Sequence, residues 1–351
     1  MKRHSAIGAL LLCATLSNAQ DRVTWEVNAM TEVDWNMSDG KAMWTNYLSA
    51  GIDIGLWKGA HLECAAISTY SSNEQVSGDL LGFSNIYTEK NRAFRLMMAS
   101  IGQHFGKWGY MSAGLRNIDA DYFTTPATSL FTAPADADFP TISNNFAVAT
   151  YPMAALGAHI ELYPTKGLTA KASLYNGVAD DRQDRQFRFR PSADGLFTIG
   201  CVTYERPTRG ETPASYTVGY MHGHVPGDGG DGGKVSKTGF WLLVEQPVFY
   251  IGSTQWCLLL QGSAMTKYKK STHGYWGTGL TVNGIGKRNI QAGMAVNRMH
   301  DTIGNELDAE MTCLVPLNGW LSVQPAVHFI RSHHRETVVG LLRLSVSFGK
   351  G

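Results

Sequence analysis

Apolar and polar positions alternate with period two over most of the chain. The alternation is clearest where two segments meet across a minimal turn at 156–175. Ala158, Ile160 and Leu162 lie on one face there, and His159 and Glu161 lie on the other. After Pro164-Thr165-Lys166-Gly167 the split returns, with Leu168, Ala170, Ala172 and Leu174 against Thr169, Lys171 and Ser173. Side chains of a strand point to opposite faces in turn, so this stretch predicts a hairpin with one apolar and one charged face. Lipid outside and water inside a membrane barrel would suit those two faces.

Followed along the chain, the same phase predicts sixteen strands: 22–29, 47–57, 60–70, 92–104, 108–116, 156–163, 167–176, 196–205, 214–223, 238–248, 254–265, 273–282, 287–298, 306–315, 319–330 and 337–348. Each is near the length a tilted strand needs to cross a bilayer. At 306–315, Asp308, Glu310 and Thr312 oppose Leu307, Ala309, Met311 and Cys313. Segments 92–104 and 273–282 have mixed faces, and 22–29 is short.

The connections alternate in length, as they do when tight turns sit at one rim of a barrel and long loops at the other. Tight ones are Lys58-Gly59, Phe105-Gly106-Lys107, Pro164 to Lys166, Asn283 to Gly286 and Pro316 to Gly319. Between them come 30–46, 71–91, 117–155, 177–195 and the glycine-rich 224–237. The later outer loops, near 266–272, 299–305 and 331–336, are shorter. Trp57, Trp108, Tyr163, Tyr175, Tyr204, Trp256 and Trp320 lie near strand ends, where interfacial aromatic girdles form. In the last strand, Leu342, Leu344, Val346 and Phe348 alternate with Arg343, Ser345 and Ser347. The expected fold is all-β: a transmembrane, antiparallel, up-and-down β-barrel of about sixteen strands. A soluble β-sandwich would also alternate, but it is normally smaller and need not pair long with short connections over so many hairpins.

Composition adds three constraints. The mean hydropathy is −0.15, and no segment approaches the roughly 18 uninterrupted apolar residues of a spanning helix; a barrel with a polar lumen reads the same way. Lys2-Arg3-His4, the apolar run Ile7 to Leu12 and the small residues Ser17-Asn18-Ala19 predict a secretory signal peptide over 1–19, leaving a barrel over 20–351. Cys13 follows Leu12, where a lipoprotein signal would place a small residue, so no lipid anchor is expected. The chain carries 30 basic and 29 acidic residues, and losing Lys2 and Arg3 brings the formal charge to about −1; nothing predicts a nucleic-acid partner. Cys64, Cys201, Cys257 and Cys313 have no close-set metal spacing, and Cys313 continues an apolar face. Gly227 to Gly233 lacks the strand-to-helix setting of a phosphate loop, and no cofactor is predicted.

A barrel of this size leaves a channel wider than its side chains can fill, so an inward fold of the longest loop, 117–155, would narrow it. That loop offers Asp119, Asp121, Asp136 and Asp138 with Tyr122, Phe123, Phe131 and Phe139, and Arg92, Arg95 and Arg116 flank it as candidate cationic contacts. Carboxylates and guanidinium groups hydrogen-bond hydroxyls, and aromatic faces suit the apolar face of a pyranose. His159, Glu161, Lys171, Gln291, Asn297, Asp308, Glu310, Gln324, His328 and Arg343 hold the polar parity of their strands and are expected to meet water as channel wall.

These residues support a resemblance to bacterial carbohydrate-selective porins of the OprB-like family. It runs through Asp79-Leu80-Leu81-Gly82-Phe83-Ser84-Asn85-Ile86, Gly114 to Phe123, Tyr151-Pro152-Met153-Ala154-Ala155-Leu156-Gly157-Ala158, Gly319 to Pro325 and the closing strand Val338 to Phe348, in family order. The resemblance implies a sixteen-stranded barrel of the bacterial outer membrane, reached by signal-directed export, that admits sugars by passive diffusion. Asp119 and Asp121 match acidic positions of the family segment and Tyr122 and Phe123 its aromatic ones, whereas Ala120 departs from an acidic position and Arg116 from the expected residue type. The implied partners are sugars as transported solutes and outer-membrane lipids, with a homo-oligomer left open. Competing expectations are a general size-selective porin, a pore-less adhesion or scaffold barrel, and an outer-membrane lipase or protease using His222, His224, His328, His333 or His334.

Overall fold

A computed structural model describes residues 22–77, 81–210, 212–227, 233–267, 271–332 and 335–350. The proposed leader 1–19, Asp79, Leu80 and His333-His334 lie outside them. Sixteen strands follow in order: β1 Val23–Asn36, β2 Ala42–Trp57, β3 Ala60–Ser71, β4 Arg92–His104, β5 Gly109–Arg116, β6 Ala155–Thr165, β7 Leu168–Asn176, β8 Leu196–Arg206, β9 Ala214–Pro226, β10 Lys234–Ile251, β11 Thr254–Lys267, β12 Gly274–Ile285, β13 Ile290–His300, β14 Asn305–Pro316, β15 Leu321–Ser332 and β16 Arg335–Lys350. Each pairs antiparallel with its chain neighbours, and β1 pairs with β16 from Trp25↔Lys350 to Asn36↔Val339. The closed sheet has no free edge, which rules out the sandwich. The start of β1, the end of β16 and the turns at 58–59 and 166–167 share one rim, the periplasmic one in an outer-membrane barrel.

The hairpin at 156–175 forms β6 and β7 with Glu161 opposite Lys171. Ala158, Leu162, Ala172 and Leu174 are exposed on the outer face, and His159 and Ser173 are buried on the inner one. The outer face elsewhere is apolar, with Trp44, Trp57, Trp108, Trp276, Phe329 and Leu342 exposed. Two expected girdle residues prove to face inward: Tyr175 is buried against Asp121, and Tyr163 donates to Glu161. Their parity is that of Ser173 and Glu161, so the strand pleat turns them into the lumen. All four described cysteines are free thiols.

The segment 30–46, expected as a long outer loop, is strand except at 37–41. Met30, Glu32, Asp34 and Asn36 share the inward parity, while Val33 and Trp35 face out. Polar side chains in three of the four inner positions, two of them charged, give this stretch the composition of a loop although its period is that of a strand. The expected loop 224–237 shrinks likewise, because β9 runs to Pro226 and β10 starts at Lys234.

Two apolar clusters fill much of the interior. The larger joins Ile118, Phe123, Phe131, Phe139 and Ile142 to inward side chains of the wall, among them Ile199, Trp241, Leu259, Tyr275 and Met299. The smaller packs Phe83 and Val76 on Met43, Ala326, Ile330, Val339 and Leu341. Segments 81–91 and 117–154 therefore run inside the barrel and touch each other there, the Asn85 amide donating to the Thr132 carbonyl at 2.7 Å.

Candidate functional site: an off-centre passage beside an inner segment

Residues 117–154 cross the interior as short helical turns, Asp119–Tyr122, Pro134–Ala137 and Pro140–Ser143, two of them started by proline at the first helical position. Turns this short leave most backbone groups without internal partners, and wall side chains supply them. Glu245 on β10 accepts from Thr125 Oγ1 and, at 2.8 Å, from the Ala127 amide. Glu310 on β14 accepts from the Thr132 amide at 2.8 Å and the Ala133 amide at 3.1 Å. Gln324 Nε2 donates to the Leu130 carbonyl at 2.7 Å, and Asn297 Nδ2 donates to Asp136 at 2.8 Å. His328 links Thr132 Oγ1, at 2.8 Å from Nε2, to Asp308, at 3.1 Å from Nδ1.

Packing completes the attachment. Phe123 lies 5.0 Å from Phe139 and 5.2 Å from Trp241, measured between ring centres. Gly293 on β13 makes room for the segment, since a Cβ there would stand 2.9 Å from Leu130 Cδ2. The expectation that Asn297, Asp308, Glu310, Gln324 and His328 meet water therefore fails. They hold the inner parity, but the segment covers them, and Asn297, Asp308 and His328 have no exposed surface. Gln291 keeps the same parity at partial exposure. The Thr132, His328 and Asp308 chain has the residue types of a nucleophile with its base and orienting acid, yet burial closes it to any substrate and Glu310 also holds the hydroxyl.

The predicted Arg116, Asp121, His159, Glu161 and Lys171, together with Glu63, form a second group, one chain of polar contacts along β3 to β7. Glu63 meets Arg116 at 3.0 Å, Arg116 meets Asp121 at 2.7 Å, His159 meets Glu161 at 3.0 Å and Glu161 meets Lys171 at 3.2 Å. Lys171 Nζ also donates to the Asp121 carbonyl at 3.0 Å. Asp121 thus ties the start of the inner segment to the wall, and Tyr122 docks beside it through its hydroxyl, 2.8 Å from Ser173 Oγ. Arg92 and Arg95 serve elsewhere: Arg92 pairs with Asp181, and Arg95 donates to the Asp180 and Asp181 carbonyls at 2.7 Å, holding the outer loop 177–195. Lys90 and Arg92 draw the Asp181 carboxyl down to about 2.

Three acids of the inner segment have the opposite environment. Burial pushes Asp119 up to about 7, against the Tyr151 amide, which donates to it at 2.7 Å. Burial also raises Asp136 and Asp138 well above the usual carboxylate range, with Glu310 adding repulsion at Asp136 and Asp119 at Asp138.

Open space lies on the far side of the segment, against β1 to β4. A cavity of about 810 Å³ is lined there by Glu26, Met30, Tyr47, Ser49, Asp53 and Glu63 of the wall and by Asn85, Asn117, Asp119, Thr124, Ser129 and Tyr151 of the inner segments. The Tyr47 and Tyr151 rings pack together at its wall, tilted by 57° with centres 6.1 Å apart. Arg343, bonded to Glu32 at 2.7 Å and Asn85 at 2.9 Å, places a cation at its edge. Tyr47, Ser49, Glu26 and Glu63 were not among the expected site residues. Their signal is the inward parity of β1 to β3, within the strands predicted at 22–29, 47–57 and 60–70.

Among solved structures, the chain is similar to Pseudomonas putida OprB, with a TM-score of 0.78 at high pH and 15% identity over 96% of each chain. The low-pH structure of that protein gives 0.65 and 16% over the same shares. An anion-selective porin from Comamonas acidovorans gives 0.59 at 10% identity, over 93% of this chain and 98% of that one. No curated protein is similar enough in sequence to match. Residues 54–348 match the family described as carbohydrate-selective porin, OprB family. The chain belongs to that family, and it is a bacterial outer-membrane porin, not an enzyme, for the passive diffusion of carbohydrates.

Proposed function

We propose that the sugar path is the off-centre cavity between β1–β4 and the inner segments, and that Tyr47 and Tyr151 form its sugar-contacting pair. The observation that carries this reading is the lining itself. Two aromatic rings stand beside hydroxyls, amides, carboxylates and one guanidinium. Such a lining offers a pyranose both an apolar face and hydrogen-bond partners in either direction. The cavity also falls in the range of roughly 300–1,000 Å³ typical of small-molecule sites. Tyr47 projects from β2 and lines the cavity, and Tyr151 is held by its hydroxyl bond to the Ile86 carbonyl at 2.9 Å.

The test is sugar-induced current block in planar bilayers with Tyr47→Ala. Losing one aromatic contact of about 1 kcal/mol predicts block weaker by roughly fivefold, with the channel still open. Unchanged block would move the sugar site away from this pair. Liposome swelling with sugars and size-matched amino acids separates a sugar-preferring path from simple sieving: equal rates would favour the sieve.

A further inference from the structure

Asp53 on β2 and Glu63 on β3 are direct cross-strand partners, and His61 lies two residues from Glu63 on the same inward face. Like charges placed directly opposite in a sheet repel, so this pair favours a cation between its members. The nearest charged group of Glu63 is Arg116, and it engages only one carboxylate oxygen, Oε2, which also accepts from Ser100 Oγ at 3.0 Å. Glu63 Oε1 faces His61 Nε2 at 3.5 Å, with the Tyr110 hydroxyl 3.4 Å from both atoms, and Asp53 Oδ2 lies 3.9 Å from His61 Nδ1.

We propose that Asp53, His61 and Glu63 form a site for a divalent transition-metal ion, of the class that Zn²⁺ represents, near the periplasmic end of the channel. One ligand atom from each residue lies within 4.8 Å of the other two. Metal bonds of about 2.0–2.2 Å at tetrahedral angles set ligand atoms roughly 3.4 Å apart, so each side chain need move by under about 1 Å to close the set. An imidazole with two carboxylates suits zinc and its neighbours in the first transition row.

The surroundings already orient two of the three donors. Arg116 and Ser100 fix the Glu63 carboxylate in the way that outer hydrogen bonds orient metal ligands. The cross-strand neighbours of His61 are Gly55 and Gly102, and a Cβ at 102 would stand 2.3 Å from His61 Nε2. The imidazole therefore lies over bare backbone. All three side chains keep part of their surface open to the lumen, with Asp53 the most exposed at 39%. A bound ion adds two positive charges to this stretch of wall and narrows it, so metal is expected to lower the current carried by cations.

The experiment uses the refolded full chain, with Zn²⁺ titrated in a calorimeter and in single-channel recordings, each variant referred to its own metal-free conductance. The expected result is one site of micromolar affinity whose filling reduces the current and whose block EDTA reverses. His61→Ala and, separately, Asp53→Asn should each weaken binding at least tenfold and remove the block. Asp53→Asn keeps the shape of the side chain, so it carries the test if His61→Ala refolds poorly. Binding and block unchanged in both variants would overturn the site. So would binding lost instead in a His222→Ala, His224→Ala double variant, or equal block by Ca²⁺, which is indifferent to imidazole.

Discussion

Two halves of one wall, built on the same alternation, face different surroundings. Along β10 to β15 the inward positions carry Glu245, Asn297, Asp308, Glu310, Gln324 and His328, and all are buried. Along β1 to β3, below the buried Glu32 and Asp34, they carry Glu26, Ser49, Asp53 and Glu63 and stay open to the passage. What separates the halves is the inner segment, which needs acceptors for its amides and takes them from one side only. A buried carboxylate here acts as a clamp on backbone, and an open one sets the field met by a passing solute. Inward polarity is therefore insufficient to identify a pore-lining residue.

Breaking the clamp should have the largest effect. Glu310→Ala leaves the Thr132 and Ala133 amides without their acceptor and removes a carboxylate 4.0 Å from His328. Removing one member of a buried charged set costs about 3–5 kcal/mol. The outcome expected is a lower midpoint in thermal melting together with a larger, noisier single-channel conductance; an unchanged conductance would mean that the other anchors hold the segment alone.

The junction between the halves is next in size. Arg116→Ala strands Glu63 and Asp121, and Glu63 keeps some contact with solvent. Charged hydrogen bonds contribute about 1.5–3 kcal/mol each, so a loss of about 2 kcal/mol is expected. Denaturant unfolding would measure it, and a shift below about 0.5 kcal/mol would show that the pairs are individually dispensable.

The smallest effect sharpens the open side. Asp119, raised by burial to about 7 from its ordinary 3.8, lines the passage. Its contribution to stability is complete below about pH 4 and is lost as pH rises through about 7, while the passage gains one negative charge over the upper part of that window. Reversal potentials should shift towards cation preference between about pH 6 and 8. Asp119→Asn should flatten that shift, and a wild-type slope retained in the variant would assign the titration to another group.

Much of this was readable from residues alone, because lipid enforces an apolar outer face wherever a strand crosses. The hairpin 156–175 and strand 306–315 show it, as does the closing strand with its exposed Leu342 and Leu344. Strand β10 was harder to interpret: Phe240 and Leu242 face lipid while Trp241 and Leu243 are also apolar and buried inside. Apolarity on both faces marks a strand covered on both sides, and it was the available signal for where the inner segment docks. The partners of individual charges were out of reach. Arg116 joins Asp121 five residues away but also Glu63, and Glu310 finds Thr132 across 178 positions. Period and composition carry no information about which distant polar residue fills a given orphan amide.

That 178-residue separation bears on how the channel is made. The barrel ladder grows from neighbouring hairpins, whose contacts are local, whereas the inner segment is seated by β10 to β15, which follow it in the chain. Contacts so far apart carry a large loop-closure entropy and form late. A chain inserted through β9 would have the segment without its hydrogen-bond partners Glu245, Asn297, Glu310 and Gln324. During assembly, the narrow path is thus a product of the final strands, and a stalled barrel would leak solutes that the finished one excludes.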